Sequence, residues 1–458
     1  MLNDPDLIPF DPPARLHLAA MRRNLIEGFP RSTYETAVTR IWGPFDDTWM
    51  VCDPDLIREM LVDKADQVGR STVTDKIFAP FLGGGSLFVN SGSDWQWKRR
   101  VVNPMFRPES LMAFVPIFAA QATEHIRDWH DQPPDEPIDV ARAMRQIAFG
   151  IVFDALMGGP VTVDVEAYEK AITDAFDAAP WEALLALLWM PSWVPFPGRR
   201  RVLRARDYAY EQVSRIVAER RAAPAAQGDL LNLLMDARDS EGREMSDLEV
   251  VDNLITFIST GYEVSALALA WSLWLLAKDQ KSQQRVVDEV RGIVGERPIE
   301  PSDVEHLVFT EQVALEAIRL YPPAPLLLRQ AKVDMKLGTY PVKAGTHIHI
   351  PIYSLHRSVR LWENPNAFDP DRFGRDRTKK HQRYAYLPFG AGPRVCIGAS
   401  FAMTEIVVIL ATVIRAFHLT PVPGHKPKPI ARISLRVQGG MPLLVAPRTP
   451  VADRLKAF

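Results

Sequence analysis

Proline is spread unevenly along this 458-residue chain, and that unevenness limits how it can fold more than any other feature. Between Ala225 and Arg297 there is none; between Pro322 and Pro450 there are sixteen. Proline has no amide donor and clashes with the preceding helical turn, so it ends helices. The first stretch can therefore be long helix, and the second has to be turns, short strands and loops. Asp247 to Ala277 carries apolar residues at helical spacing and is apolar all round from Leu267 onward, the pattern of a helix buried in a core. Asp303 to Leu320 reads as another helix, stopped at Tyr321-Pro322-Pro323, and Gly398 to Phe417 as a third. Strand patterns occur at Ala37–Trp42, Thr48–Cys52 and Thr346–Ile352. The expectation is a mainly α fold with small β-sheets. No linker, low-complexity tract or repeat divides the chain, so we expect one domain over residues 1–458. It would comprise an N-terminal segment (1–30), a helix-rich core (about 92–320) and a Pro-rich strand and loop region (about 322–450).

Composition removes several function classes. Apolar residues at 47% and charged residues at 24% belong to a folded globular protein. Lys+Arg 54 against Asp+Glu 56 gives a net charge of −2, which argues against a nucleic-acid partner. Two cysteines, Cys52 and Cys396, cannot build a disulfide framework, and they suit a reducing, cytoplasmic setting. The longest uncharged stretch, Ile77 to Ser93, has 17 residues and is broken by Pro80 and Gly83 to Gly85. A membrane-spanning helix needs about 20 apolar residues, so no membrane anchor is expected.

The sharpest chemical signal is Phe389-Gly390-Ala391-Gly392-Pro393-Arg394-Val395-Cys396-Ile397-Gly398. Three glycines and a proline make a tight loop, and its cysteine stands just before an apolar helix. Free amides and positive potential at a helix N-terminus favour a thiolate, and a thiolate in a dry loop is a soft metal ligand. Phe389, Gly392, Arg394, Cys396 and Gly398 match the haem-ligand loop of the cytochromes P-450, the haem-thiolate monooxygenases, and the chain resembles that family. The resemblance implies the single-domain cytochrome P-450 fold, a triangular helix-rich prism around a buried haem b (iron protoporphyrin IX). Cys396 would be the axial iron ligand and Arg394 a propionate partner. Phe389, Gly390, Ile397, Gly398 and Ala402 would be further haem contacts.

Other motifs follow in the family's order, from about Gly92 to Met441. Glu316-Ala317-Ile318-Arg319 places acid and base on one helix face, and Phe368-Asp369-Pro370-Asp371-Arg372-Phe373 lies downstream. The resemblance joins Glu316, Arg319 and Arg372 in a buried structural network. Trp95 and Arg99, one turn apart, resemble the family's Trp-x-x-x-Arg pair, able to reach one propionate together, and Arg329 matches another propionate contact. Trp97, Cys52 and His356 take no role in these motifs.

The central helix carries Thr260-Gly261-Tyr262-Glu263-Val264-Ser265, similar to the family's Ala/Gly-Gly-x-acid-Thr element, in which an acid–alcohol pair relays protons. Glu263 keeps the acid, but Val264 stands where the alcohol is usual. Ser265 is about 100° further round the helix, whereas Thr260 is one turn earlier on the face of Val264. The expected catalytic pair is Glu263 and Thr260, with an ordered water or a substrate hydroxyl as alternatives to Thr260. Arg375, Arg377, Lys379, Lys380 and Arg383, with Lys98 and Arg100, suggest a basic proximal face for a ferredoxin or flavodoxin electron donor. Phe81, Leu87, Val264, Leu326 and Met441 are the expected substrate-pocket residues, and Trp181 to Phe196 an apolar entrance. The resemblance implies a monooxygenase that inserts one atom of O2 into an apolar small molecule, with electrons from NAD(P)H through separate partners. A reductase-independent peroxygenase or isomerase is the enzymatic alternative. A non-catalytic haem or apolar-ligand binding protein is the other.

Overall fold

The computed structural model describes residues 2–3, 23–41, 48–158, 163–178, 181–182, 185, 190, 193–223, 229–378 and 382–448. Lys379, Lys380 and Trp189 lie outside these residues. The described part of the proline-free stretch is mostly helical, with turns at residues 236–246, and its centre is one helix, Asp247–Lys278. A capping box sets its start. The Ser246 hydroxyl accepts from the Glu249 amide at 3.3 Å, and the Glu249 carboxylate accepts from the Ser246 amide at 3.0 Å. The helices Val140–Met157, Arg199–Ala222, Val308–Leu320 and Ala399–Ala416 pack round it. Surrounded in this way, its apolar faces have no face left for water, which is why its sequence lacks a polar stripe. Two helices, Asp247–Lys278 and Ala399–Ala416, are long and apolar enough to cross a membrane by length and composition. Their apolar windows are 83% and 61% buried inside this fold.

The helix expected from Asp303 to Leu320 is two elements, a 3₁₀ turn Pro301–His306 and the helix Val308–Leu320. The buried Leu307 between them is not helical. The Glu289 carboxylate restarts the helix by accepting from the amides of Phe309 (2.6 Å) and Thr310 (2.9 Å) and from the Thr310 hydroxyl (2.7 Å). An acceptor from a different helix acts here as the N-cap, which sequence periodicity cannot reveal.

The Pro-rich half supplies short strands. A five-stranded sheet runs Val38–Ile41, Thr48–Val51, His347–Ile350, Leu327–Ala331, Val68–Arg70 in spatial order. Its last pair sets Arg70 directly opposite Arg329. A hairpin of Lys428–Ala431 and Leu435–Gln438 reaches back to the central helix.

Glu316, Arg319 and Arg372 meet as the motifs implied, all of them at most 1% exposed. Arg319 grips Glu316 through two bonds of 2.6 and 2.8 Å, and Arg372 reaches Glu316 at 3.4 Å. The remaining guanidinium nitrogens end on the carbonyls of His356, Pro365, Ala367, Glu363 and Asn364. A buried ionic group is tolerated when every donor is met in this way.

Candidate functional site

The Cys396 loop is closed by its own backbone, Cys396 N donating to Phe389 O at 2.9 Å. Gly392 has φ +74, and a Cβ there would stand 1.8 Å from the Leu61 carbonyl, so only glycine fits. The loop hands over to the helix Ala399–Ala416, and Ala402 N bonds back to Gly398 O at 2.9 Å. Surrounding protein pushes the Cys396 thiol up, while the Gly398 amide and the Arg99 guanidinium pull it down. Yet Cys396 is exposed by accessible area. The thiol is thus crowded by protein and still accessible. Among the described residues no three His, Cys, Asp or Glu side chains gather into a metal cage. A metal taken by Cys396 therefore has to bring its other ligands with it.

Four arginines converge on this region. Arg394 has its guanidinium 4.1 Å from the Trp95 ring centroid, and Arg99 lies 6.0 Å from the same ring. Arg329 faces Arg70 across the sheet. Burial and the nearby charges of Arg70, Arg329 and Arg99 pull Arg394 down to about 10, and burial with Arg70 does the same to Arg329. Among the described residues Asp75, paired with Arg70 at 2.8 Å, is the carboxylate seen to act on this group. Arg329 and Arg394 find one backbone carbonyl each, Leu328 O and Asn90 O. Like charges directly opposite on a sheet are destabilising, and guanidinium groups are built for paired acceptors. The chemistry of this donor set fits a dianionic ligand beside the thiol, as the two carboxylates of a haem would be. Arg70 was not anticipated, because nothing in Val68-Gly69-Arg70-Ser71 marks it. Its meaning arises only from its strand register.

The central helix opens to the interior in one place. From Val250 to Ala277 every residue is buried except Thr260, Gly261 and Val264, which share one face. Phe106 links this helix to the thiol loop, stacking on Phe257 at 5.9 Å and standing 3.9 Å from the position of a Gly398 Cβ. The Thr260 hydroxyl donates to Thr256 O at 2.7 Å. Glu263 is turned away into the core, where its carboxylate accepts from Ser434 Oγ (2.7 Å) and Arg436 Nε (2.6 Å). Ser265 does not substitute for the alcohol, because its hydroxyl meets Glu405 at 2.5 Å on the opposite helix. Burial raises the Glu405 carboxyl to about 8. Glu405 and Arg436 were not anticipated, because each is defined by a partner over 100 residues away.

The other expected residues are more scattered. Val264 and Leu326 are half-buried, and Leu326 packs against the core. Phe81 is buried against Phe176, and Leu87 is fixed by its amide to Asn253 of the central helix. Met441 is fully buried, its backbone bonded to Asp139 and Val140. Of the apolar entrance, Trp181, Glu182, Leu185, Met190 and residues 193–196 are described, and Trp193 is 70% exposed. One expectation for the basic face is corrected. Lys98 is 1% exposed and ends on Asp94, Glu249, Asn90 and the Gly85 carbonyl, so it presents no charge to a partner. Its helical phase turns it inward, whereas Arg100, Arg375 and Arg383 are exposed.

A helix-rich fold with an accessible thiol at Cys396 beside an arginine cluster short of acceptors fits a haem-thiolate protein. The cytochrome P450 family model matches residues 26–442. The chain is 32% identical to cyclooctat-9-en-7-ol 5-monooxygenase of Streptomyces melanosporofaciens, over 82% of this chain and 81% of that one. It is 30% identical to cyclooctatin synthase of the same organism, over 87% and 86%, and 27% identical to human cytochrome P450 4F8, over 91% and 84%. The chain belongs to the cytochrome P450 family and is an oxidoreductase of its monooxygenase type.

Proposed function

We propose that the protein oxidises an apolar small molecule, inserting one oxygen atom from O2, with electrons delivered from NAD(P)H by a separate ferredoxin or flavodoxin. The observation that carries the reading is the accessible Cys396 thiol beside a cluster of arginines short of acceptors. Haem b held there supplies oxygen activation, assisted by electron donation from the thiolate. Cys396 would be its axial ligand, and Arg99, Arg329, Arg394 and Trp95 would hold its carboxylates. Phe389, Gly390, Ile397, Gly398 and Ala402 would form the wall on the thiolate side. Residues 1–458 would act as one unit.

The chain's own part is to exclude water and move protons. Thr260 is the one hydroxyl on the open stripe, and its bond to Thr256 leaves its oxygen free to accept. Glu263 is reached from outside through Arg436, which also lies 3.8 Å from Asp177. This supports Thr260 as the alcohol and Glu263 as the acid of the proton path. Val264 narrows the stripe with an apolar side chain. With Phe81, Leu87, Leu326 and Met441 it would favour a substrate as greasy as the name of the cyclooctatenol-oxidising relative suggests.

The test is turnover of an apolar compound library with NAD(P)H, a ferredoxin and its reductase, in parallel with hydrogen peroxide alone. Product in the first arm is expected. Product with peroxide alone would replace this reading by a peroxygenase, which the valine at position 264 favours. No turnover in either arm would leave a haem-containing binding protein. In Thr260→Val and Glu263→Gln, less product and more released peroxide per electron is expected; unchanged coupling in both would remove the proton path.

A further inference from the structure

Among the described residues three arginines are at most 1% exposed: Arg319, Arg357 and Arg372. Arg319 and Arg372 are provided for by Glu316 and backbone carbonyls. Arg357 is not. Its Nε, Nη1 and Nη2 are all shielded from solvent, and none meets a hydrogen-bond acceptor among the described residues. Its guanidinium stands 3.9 Å from the Tyr353 ring centroid and 5.6 Å from that of Tyr321. Aromatic faces attract a cation but accept no conventional hydrogen bonds, and a buried charge without an acceptor is the arrangement proteins avoid most strongly.

The usual remedies are already committed. The carbonyls turning round Arg357 are in use: Ser354 O by Arg357 N, Leu355 O by Ser358 N and Trp362 Nε1, His356 O by Arg319, and Tyr34 O by Val359 N. The nearby ionisable groups bring no negative charge either. His356 is held neutral by burial and by Arg319 and Arg357, and its Nε2 accepts from the Leu387 amide. Burial keeps the Tyr34 phenol and the Cys52 thiol protonated. Glu316 is shared by Arg319 and Arg372, and Asp53 caps a helix and lies 3.5 Å from Arg360. Two hydroxyls complete the picture. Among the described residues Ser358 Oγ, on the next residue, is buried without a hydrogen-bond partner, and Tyr34 Oη, close enough to feel the Arg357 charge, has beside it only the Ser354 hydroxyl, which already accepts from Thr33.

The geometry points to a buried site for one small monovalent anion of halide size, held by the Arg357 guanidinium with Ser358 Oγ and Tyr34 Oη as neutral donors. A cation and two hydroxyls with no acceptor among them need a compact negative charge that can accept from several directions at once. Full burial and a single unmatched positive charge exclude a phosphate or an organic acid. The site lies in the quarter that houses the Glu316 network, so it acts on folding stability and not on the chemistry at Cys396.

The test is crystallographic. Holoenzyme crystals grown with bromide in place of chloride are measured at the bromine absorption edge. An anomalous peak within hydrogen-bonding distance of the Arg357 guanidinium is expected. A map with water alone at that position would overturn the site. In solution, the melting temperature of the holoenzyme should rise along a saturating curve as chloride replaces gluconate at constant ionic strength. A flat wild-type curve would also overturn it. Arg357→Met should abolish the response. Should that variant fail to fold, Ser358→Ala, which keeps the charge, should move the midpoint to several-fold higher chloride.

Discussion

Two groups of arginines in this molecule have opposite fates. Around Glu316, the donors of Arg319 and Arg372 end on a carboxylate or on a carbonyl. Around Trp95, Arg329 and Arg394 repel each other and Arg70, and share hardly any acceptors. The sequence does not separate them, since each is an arginine in a short motif. Satisfaction separates them: a network closed on itself is architecture, and one left open awaits something from outside the chain. Arg357 is a third case, open beside the closed network.

The strongest way to break the comparison is to open the closed network. Glu316→Gln leaves two buried guanidinium groups without their counter-charge, which costs about 3–5 kcal/mol. Urea unfolding should show that loss, and a change below about 1 kcal/mol would mean the network is not structural. The reverse experiment closes nothing because nothing was closed. Arg329→Met removes a charge that faces Arg70, so the haem-free chain should be as stable as wild type or more so. Haem should then leave about 10- to 100-fold faster, the equivalent of one or two charge-assisted bonds. Transfer to a haem scavenger measures the rate, and unaltered retention would detach Arg329 from the site.

Glu405 carries the comparison to an acid. It is buried, and its Oε1 has no partner among the described residues. Burial places its pKa at about 8, above the roughly 4.3 of an unfolded chain. The unfolded chain therefore ionises first as pH rises. The glutamic acid's contribution is complete below about pH 4.3, falls by up to about 1.4 kcal/mol per pH unit, and levels off above about pH 8. Urea midpoints between pH 5 and 8 should fall in wild type more steeply than in Glu405→Gln, and parallel profiles would show Glu405 to be charged. Smallest of all is Thr260→Val. The hydroxyl lost is bonded to its own helix, so stability should change by less than about 0.5 kcal/mol while peroxide release rises.

Much of this was legible before any coordinates. Proline spacing marked the Asp247–Lys278 helix and the strand-rich end, and the loop to Gly398 marked Cys396. What stayed hidden depended on partners distant in sequence. Arg70 gains meaning from facing Arg329 across a sheet. The break at Leu307 comes from a carboxylate on a neighbouring helix, and Lys98 turned inward because Glu249 and Gly85 lie across from it. Local pattern reports what a segment can be. It cannot report which of its charges another segment will satisfy.

The most direct test of the central claim is the absorption spectrum of the purified, reduced protein under carbon monoxide. Thiolate ligation by Cys396 predicts a strongly red-shifted Soret band in wild type that is absent in Cys396→Ser. An unshifted band in wild type, or the same red-shifted band in Cys396→Ser, would contradict it.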